Sequence, residues 1–205
     1  MAVKGPIHGA EATITFDDFL GRKALVKTRP EKSYRLPEID GQIRCARTKN
    51  EAKILHDARS AGVRTPCIYD IDLTKCSITM EYIEGPSVKQ VLDEQPERAD
   101  EICKKIGESI ARLHTAGICH GDLTTSNMIM ENDDICFIDF SMGCEKAELE
   151  DVGVDLRLLE RAFSSAHVGL ESSFDVLMDT YYSSIQNAKA VKKKVVDIKN
   201  RARYT

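Results

Sequence analysis

The chain has 205 residues, of which 42% are hydrophobic and 30% charged, and its net charge is −4. This is enough apolar material for one domain or two small lobes. No apolar run approaches the roughly 20 residues that span a bilayer, and the opening Met-Ala-Val-Lys-Gly-Pro lacks the apolar core of a secretory signal. The expectation is a cytoplasmic protein with no membrane segment.

Taken in chain order, Thr13–Asp17 and Lys23–Thr28 read as strands parted by a turn at Phe19–Arg22. Cys45–Ala61 carries Ala46, Ala52, Ile54, Leu55 and Ala58 at helical spacing and stops at Gly62. Cys67–Ile71 and Ser77–Ile83 return to strand composition. The character changes after Gly85-Pro86. Ala99–Ala116 is a helix with Ile102, Ile106, Ile110 and Leu113 on one face and Gly117 past its end. Asn127–Met130 and Ile135–Ile138 are short strands joined at Glu131–Asp134. Helices follow over Val154–Ser165 and Leu170–Asn187.

The segment 189–205 holds seven Lys/Arg against one acid, Asp197, so an acidic body ends in a basic tail. Such a tail suits a polyanion such as nucleic acid, or serves only as a solubilising terminus. The seven cysteines form no C-x-x-C pair, and most lie in apolar stretches such as Ile135-Cys136-Phe137. Reduced buried thiols are expected rather than zinc ligands or disulfides.

The chemistry concentrates in His120-Gly-Asp122-Leu-Thr-Thr-Ser-Asn127, followed by Ile138-Asp139-Phe-Ser141. Asp139 and Asn127 are hard oxygen donors suited to Mg²⁺, and Asp122 can orient or deprotonate an acceptor hydroxyl. The pattern resembles the catalytic loop and metal-binding motif of protein kinases. His-Gly-Asp stands where most have His-Arg-Asp, and Asp-Phe-Ser where most have Asp-Phe-Gly. In that order the N-terminal part should supply a strand lysine and a helix glutamate, and Lys27 and Glu51 fill those places. Gly9-Ala10-Glu11-Ala12 takes the position of the phosphate-covering loop, although poor in glycine. Met80 would lie behind the adenine, with backbone groups of Glu81 and Ile83 on its edge.

The resemblance narrows further, to the small kinase/ATPase subunit of the KEOPS tRNA-modification complex. It is carried by Gly9–Ala12, Lys27–Asp40, Arg47–Ala52, His120–Asn127, Ile138–Ser141 and Asp151–Ala162. It implies an α+β, bilobal, minimal protein-kinase-like fold, with residues 1–84 as N-lobe, 85–188 as C-lobe and 189–205 as basic tail. It implies ATP and Mg²⁺ as cofactors and a role in threonylcarbamoyl-adenosine modification of tRNA, with Ser/Thr (auto)phosphorylation open. The implied partners are a metal-dependent tRNA threonylcarbamoyl-transferase on the C-lobe, a further small KEOPS subunit on the N-lobe, and tRNA at the basic tail. Asp155 resembles the acid that anchors the catalytic loop's backbone. No Ala-Pro-Glu and no long activation segment fit between Ser141 and Asp155, so a docking platform for arbitrary protein substrates is not expected. The competing readings are a RIO-like Ser/Thr kinase acting outside KEOPS, an ATP-binding pseudoenzyme scaffold, and a small-molecule phosphotransferase. The last is disfavoured by the short chain.

Overall fold

The computed structural model describes residues 5–9 and 11–201. Alternating, β-branched segments in the first half form a five-stranded antiparallel sheet from β1 (Ile7–His8), β2 (Thr13–Phe19), β3 (Arg22–Thr28), β4 (Ile68–Asp72) and β5 (Ser77–Glu81). Its order is β1-β2-β3-β5-β4, which puts β3 at the centre. β2 and β3 meet in a two-residue turn, with Leu20 and Gly21 at φ 52° and 80°. Two positive φ values match the right-handed strand twist, so the strands run further than the expected Phe19–Arg22 turn allows.

One long helix, α1 (Pro37–Ser60), covers the sheet. It begins eight residues before the Cys45 start read from the sequence. Pro37 sits at its first position, with Glu38 and Asp40 in the first turn, which suits the helix dipole. These turns hold only two aliphatics, Ile39 and Ile43, with Gly41 between them, so their helical signal is weak. The buried face is Thr48, Glu51, Ala52, Leu55 and Ala58, and the helix ends at Ala61 before Gly62, which has φ +82°.

The second half is mainly helical, and the whole is a bilobal α+β fold. α2 (Val88–Glu94) opens it with a capping box between Ser87 and Gln90. The signal Ser-x-x-Gln was present in the sequence and unread. α3 (Ala99–Thr115) buries Ile102, Ile106, Ile110 and Leu113. The hairpin β7 (Met128–Glu131) and β8 (Asp134–Phe137) turns at Asn132 and Asp133, at φ 54° and 70°. β6 (Ile118–Cys119) pairs with β9 (Cys144–Glu145) across it. α4 (Leu149–Ala166) and α5 (Glu171–Ser184) close the core, in which Phe137, Phe140, Phe163 and Tyr181 are fully buried.

The expected basic tail forms, as far as Arg201, a sixth helix, α6 (Ala188–Arg201). It lies on α4, where Gly153 admits Ile198 and Lys194 so closely that a Cβ there would meet Ile198 Cδ1 at 2.6 Å. Val191 is buried, Lys194 and Arg201 bond Glu150, and Lys199 bonds Glu160. Lys189, Lys192 and Lys193 stay exposed, and Arg203 lies outside the described residues. All seven cysteines are free thiols. No helix among the described residues is long and apolar enough to cross a membrane.

Two glycines give opposite expectations. A Cβ at Gly107 in α3 would meet Leu177 O of α5 at 2.5 Å, so Gly107→Val should cost about 2 kcal/mol or more through forced overpacking. Gly41 in α1 has nothing within 4 Å and helical backbone, so Gly41→Ala should add roughly 0.5–1 kcal/mol. Urea denaturation midpoints moving down and up respectively would verify both.

Candidate active site

The two lobes face each other across a cleft lined by Ile14, Leu25, Met80, Ile83, Ile129 and Ile138, with Lys27, Glu51 and Asp139 at its polar end. An apolar slot ending in charges is the usual form of a small-molecule site. β3 brings Lys27 to it, α1 brings Glu51, and the end of β8 brings Asp139.

Lys27 is buried and all three of its N–H donors are used. Nζ donates to Glu51 Oε1 at 2.6 Å, Asp139 Oδ1 at 2.7 Å and Ser141 Oγ at 2.8 Å. Glu51, itself buried, accepts on its other oxygen from Arg29 at 2.7 Å, and Arg29 is 4% exposed. Two cations therefore meet two carboxylates, with Lys27, Arg29 and Glu51 nearly dry and Asp139 partly open to solvent, a balanced arrangement whose buried members are each costly to remove singly. Burial alone would push the Asp139 carboxyl up. The Lys27 charge, with bonds from Lys27 and Ser141, outweighs it and holds the group below the usual range. Asp139 has φ +63°, a strained backbone for a non-glycine residue. Its carboxylate is fixed from Lys27 and from the Ser141 amide and hydroxyl.

The loop from β6 to β7 is held from behind. Asp155 of α4, 1% exposed, accepts the amide of His120 on Oδ2 at 2.8 Å and that of Gly121 on Oδ1 at 2.9 Å. His114 reaches the same carboxylate at 3.3 Å and is supported by the Tyr181 hydroxyl at 2.8 Å. The ligating atoms of His114, Cys119 and Asp155 lie within 4.8 Å of one another. However, Asp155 is occupied by amides and burial pushes the Cys119 thiol pKa up, so this is a loop anchor and not a metal centre. Gly121 has φ +80°, and a Cβ there would meet Met142 O at 2.1 Å. Here His-Gly-Asp follows from geometry: the chain after Asp-Phe-Ser crosses where an arginine side chain would begin.

His120 is buried between this loop and the Ile138–Asp139 segment. Its Nε2 donates to Ile138 O at 3.0 Å, and Nδ1 accepts the Asp122 amide at 3.3 Å. Acceptance at Nδ1 requires the neutral ring, and burial lowers its pKa accordingly. Asn127 Nδ2 donates to the carbonyl and Oδ2 of Asp122, at 3.0 and 2.9 Å, which leaves its Oδ1 unspent. Ile138 N–H bonds Asn127 O at 3.0 Å, so the Asn127 turn and Asp139 are adjacent through backbone.

The remaining expected residues are placed as follows. Met80 and Ile83 line the cleft. The Glu81 amide bonds Cys67 O, while the Ile83 N–H has no hydrogen-bond partner among the described residues. The side chain of Glu81 has a function not read from sequence: with Glu131 of β7 it holds Arg64, at 2.8 Å to each, and so ties the strand before the lobe connector to the C-lobe. Gly9 donates to Ala12 O at 2.9 Å, and Glu11 bonds Arg47 of α1. Ala10 lies outside the described residues. Of the described residues here, Gly9, Glu11 and Ala12 do not line the cleft; Ile14, further along in β2, does. Arg29, Arg64 and the Ser141 hydroxyl were missed, because an isolated arginine or serine announces no partner.

A family model described as RIO domain matches residues 15–168. A protein of Methanothermobacter thermautotrophicus named "Probable bifunctional tRNA threonylcarbamoyladenosine biosynthesis protein" is 40% identical over 197 residues, 96% of this chain and 36% of that protein. The KEOPS complex subunit Bud32 of Pyrococcus abyssi is 39% identical over 207 residues, covering 96% of this chain and 94% of that one. The chain thus spans about a third of the bifunctional relatives and nearly all of the Pyrococcus protein. A solved Rio2 kinase–ADP/Mg²⁺–phosphoaspartate complex from Chaetomium thermophilum superposes with a TM-score of 0.61 over 98% of this chain and 71% of that chain. At 15% identity it shows the kinase-like fold alone.

The Asp155 anchor yields a stability expectation. Asp155→Ala strips two buried amides of a charged acceptor, so unfolding free energy should fall by about 3 kcal/mol. Hydrogen exchange at the His120 and Gly121 amides should rise with it; slow exchange in the variant would refute the anchor.

Proposed function

This chain belongs to the RIO-domain family, in the group that includes the KEOPS complex subunit Bud32, and on that premise we propose that it is an Mg·ATP-dependent kinase/ATPase serving threonylcarbamoyl-adenosine modification of tRNA. The observation that carries the proposal is Lys27 held between Glu51 and Asp139 at the polar end of an apolar cleft.

The residues fit the cofactors. The cleft suits a planar base, and the Ile83 amide is available as donor to it. Lys27 supplies the ammonium for a phosphate oxygen, and Arg29, paired with the other oxygen of Glu51, keeps that carboxylate from cancelling it. The Asp139 carboxylate and the unspent Oδ1 of Asn127 are the hard oxygen pair for Mg²⁺. Bound Mg·ATP supplies the transferable phosphoryl group, its charge neutralised by the metal. The chain's own contribution is positioning. Glu51 and Arg29 fix the lysine, Ser141 fixes Asp139, and Asn127 fixes Asp122. Asp122 then orients the acceptor oxygen and takes its proton. The crossing of Met142 over Gly121 and the short path from Ser141 to Asp155 leave no broad platform for peptides. Water or a hydroxyl within the assembly is therefore the favoured acceptor.

The partner reading rests on the relatives' names and on what this surface offers. In the bifunctional relatives the part matched is about a third of the polypeptide, which suits direct cooperation with a tRNA threonylcarbamoyl-transferase, placed on the C-lobe. Met142, Val154 and Leu158 are exposed apolar residues there. Tyr34, Leu36 and Ile39 form a similar exposed group on the N-lobe, for a further small KEOPS subunit. Lys189, Lys192 and Lys193 on α6 remain exposed for a polyanion such as tRNA.

Phosphate release from Mg·ATP, measured with the full chain, its transferase partner and tRNA, should fall by about 100-fold or more in Asp139→Asn. Equal turnover in wild type and variant would rule out Asp139 as the metal acid. ATP binding without turnover in any condition would favour the scaffold reading.

A further inference from the structure

A second buried imidazole has no part in the mechanism above. His167 caps the end of α4, its amide donating to Phe163 O at 2.9 Å, and its side chain is wholly buried. The ring rests on Phe163 with centroids 4.8 Å apart. Nε2 lies 2.8 Å from Oγ1 of Thr125, in the turn that ends at Asn127. On the opposite side, Nδ1 faces Asp93 Oδ1 of α2 at 3.5 Å and has no hydrogen-bond partner among the described residues.

Packing alone does not account for this residue. A phenylalanine would fill the space beside Phe163 without burying a polar nitrogen, whose desolvation is unfavourable when it lacks a bond. The charged groups that face the ring, Asp93 and Lys89, are both on α2; Thr125 from the loop and Phe163 from α4 are neutral. The Asp93 carboxylate draws the ring proton to Nδ1, so Nε2 presents a lone pair and the Thr125 hydroxyl donates to it. Carboxylate, imidazole and hydroxyl stand in the order of a nucleophilic triad. Yet Thr125 is 3% exposed and His167 4%, so no substrate can reach the hydroxyl. What the chain of groups can do is fix the turn that carries Asn127 and, through its side chain, Asp122.

We infer that His167, oriented by Asp93, is a positioning residue that holds the Asp122–Asn127 loop in its working form through Thr125. This rests on the reading of that loop as the phosphoryl-transfer loop. Burial pushes the His167 pKa down, so the ring stays a neutral acceptor near neutrality. Only in acid does Nε2 become a donor, and the Thr125 hydroxyl must then turn away.

The test compares His167→Phe, His167→Gln, Thr125→Val and the double variant His167→Phe/Thr125→Val with wild type. Each is read by steady-state phosphate release with partner and tRNA, by affinity for a fluorescent ATP analogue, and by amide exchange across 122–127. His167→Phe should lower kcat about tenfold with KM for ATP within about twofold, because orientation and not binding is lost. Thr125→Val should match it, and the double variant should be no worse than either single. His167→Gln, which keeps an acceptor, should recover part of the rate, and exchange should rise in step with each loss. Unchanged kcat and exchange in both single variants, or losses that multiply in the double, would overturn the inference. Should wild type itself show no turnover, the functional proposal fails instead, and the exchange data still decide the role of His167.

Discussion

The active cleft depends on a single ammonium group with three donors and three acceptors. Lys27 is the point at which β3, α1 and the loop after β8 are brought into register. A lysine buried to this extent must be met on every side, because removing its charge from water is otherwise prohibitive. That requirement makes the geometry specific. Glu51 must lie on the inner face of α1, so the helix has to be rotated to present it. Asp139 has to accept a strained backbone to reach in from the C-lobe. Arg29 completes the balance by taking the second oxygen of Glu51, whose first oxygen holds Lys27. Arg64 adds a further tie between the lobes, behind the cleft, by joining Glu81 to Glu131.

The loop from β6 to β7 obeys a complementary constraint. It makes few backbone bonds to its neighbours, so its amides must be satisfied from elsewhere. Asp155 takes two of them, the His120 ring takes a third, and the Asn127 side chain spans the loop's width to Asp122. Gly121 is then a consequence of the tight crossing with Met142. A chain that dispenses with a long activation segment passes straight from Asp139 to α4, and this crossing is where the shortcut runs. In this account the compactness of the molecule and the departure from His-Arg-Asp share one cause.

Much of this was legible in the residues. The spacing from Asp122 to Asn127 and Asp139 singles out residues that the fold does bring together, and the order of Lys27, Glu51 and the loop gives the lobes. Periodicity located α3 because its four buried aliphatics repeat at helical spacing. The first two turns of α1 begin with proline and carry only Ile39 and Ile43 as aliphatics, too thin a pattern to extend the helix before Cys45. α6 was hidden for the opposite reason: its lysines mask a thin apolar seam of Val191, Val195 and Ile198, which acquires meaning only against Gly153 of α4. Side-chain roles that depend on a distant partner, such as Arg64 with Glu81 or His167 with Thr125, have no local signal. They are products of the fold.

The central claim is that the Lys27 network is the resting form of a nucleotide site. A crystal structure of the full chain with Mg²⁺ and a non-hydrolysable ATP analogue tests it most directly. The account predicts that Lys27 keeps Glu51, leaves Asp139 for a phosphate oxygen, and that the metal is bound by Asp139 and Asn127. A nucleotide seated elsewhere, or Lys27 retaining all three partners with no metal at Asp139, would contradict it.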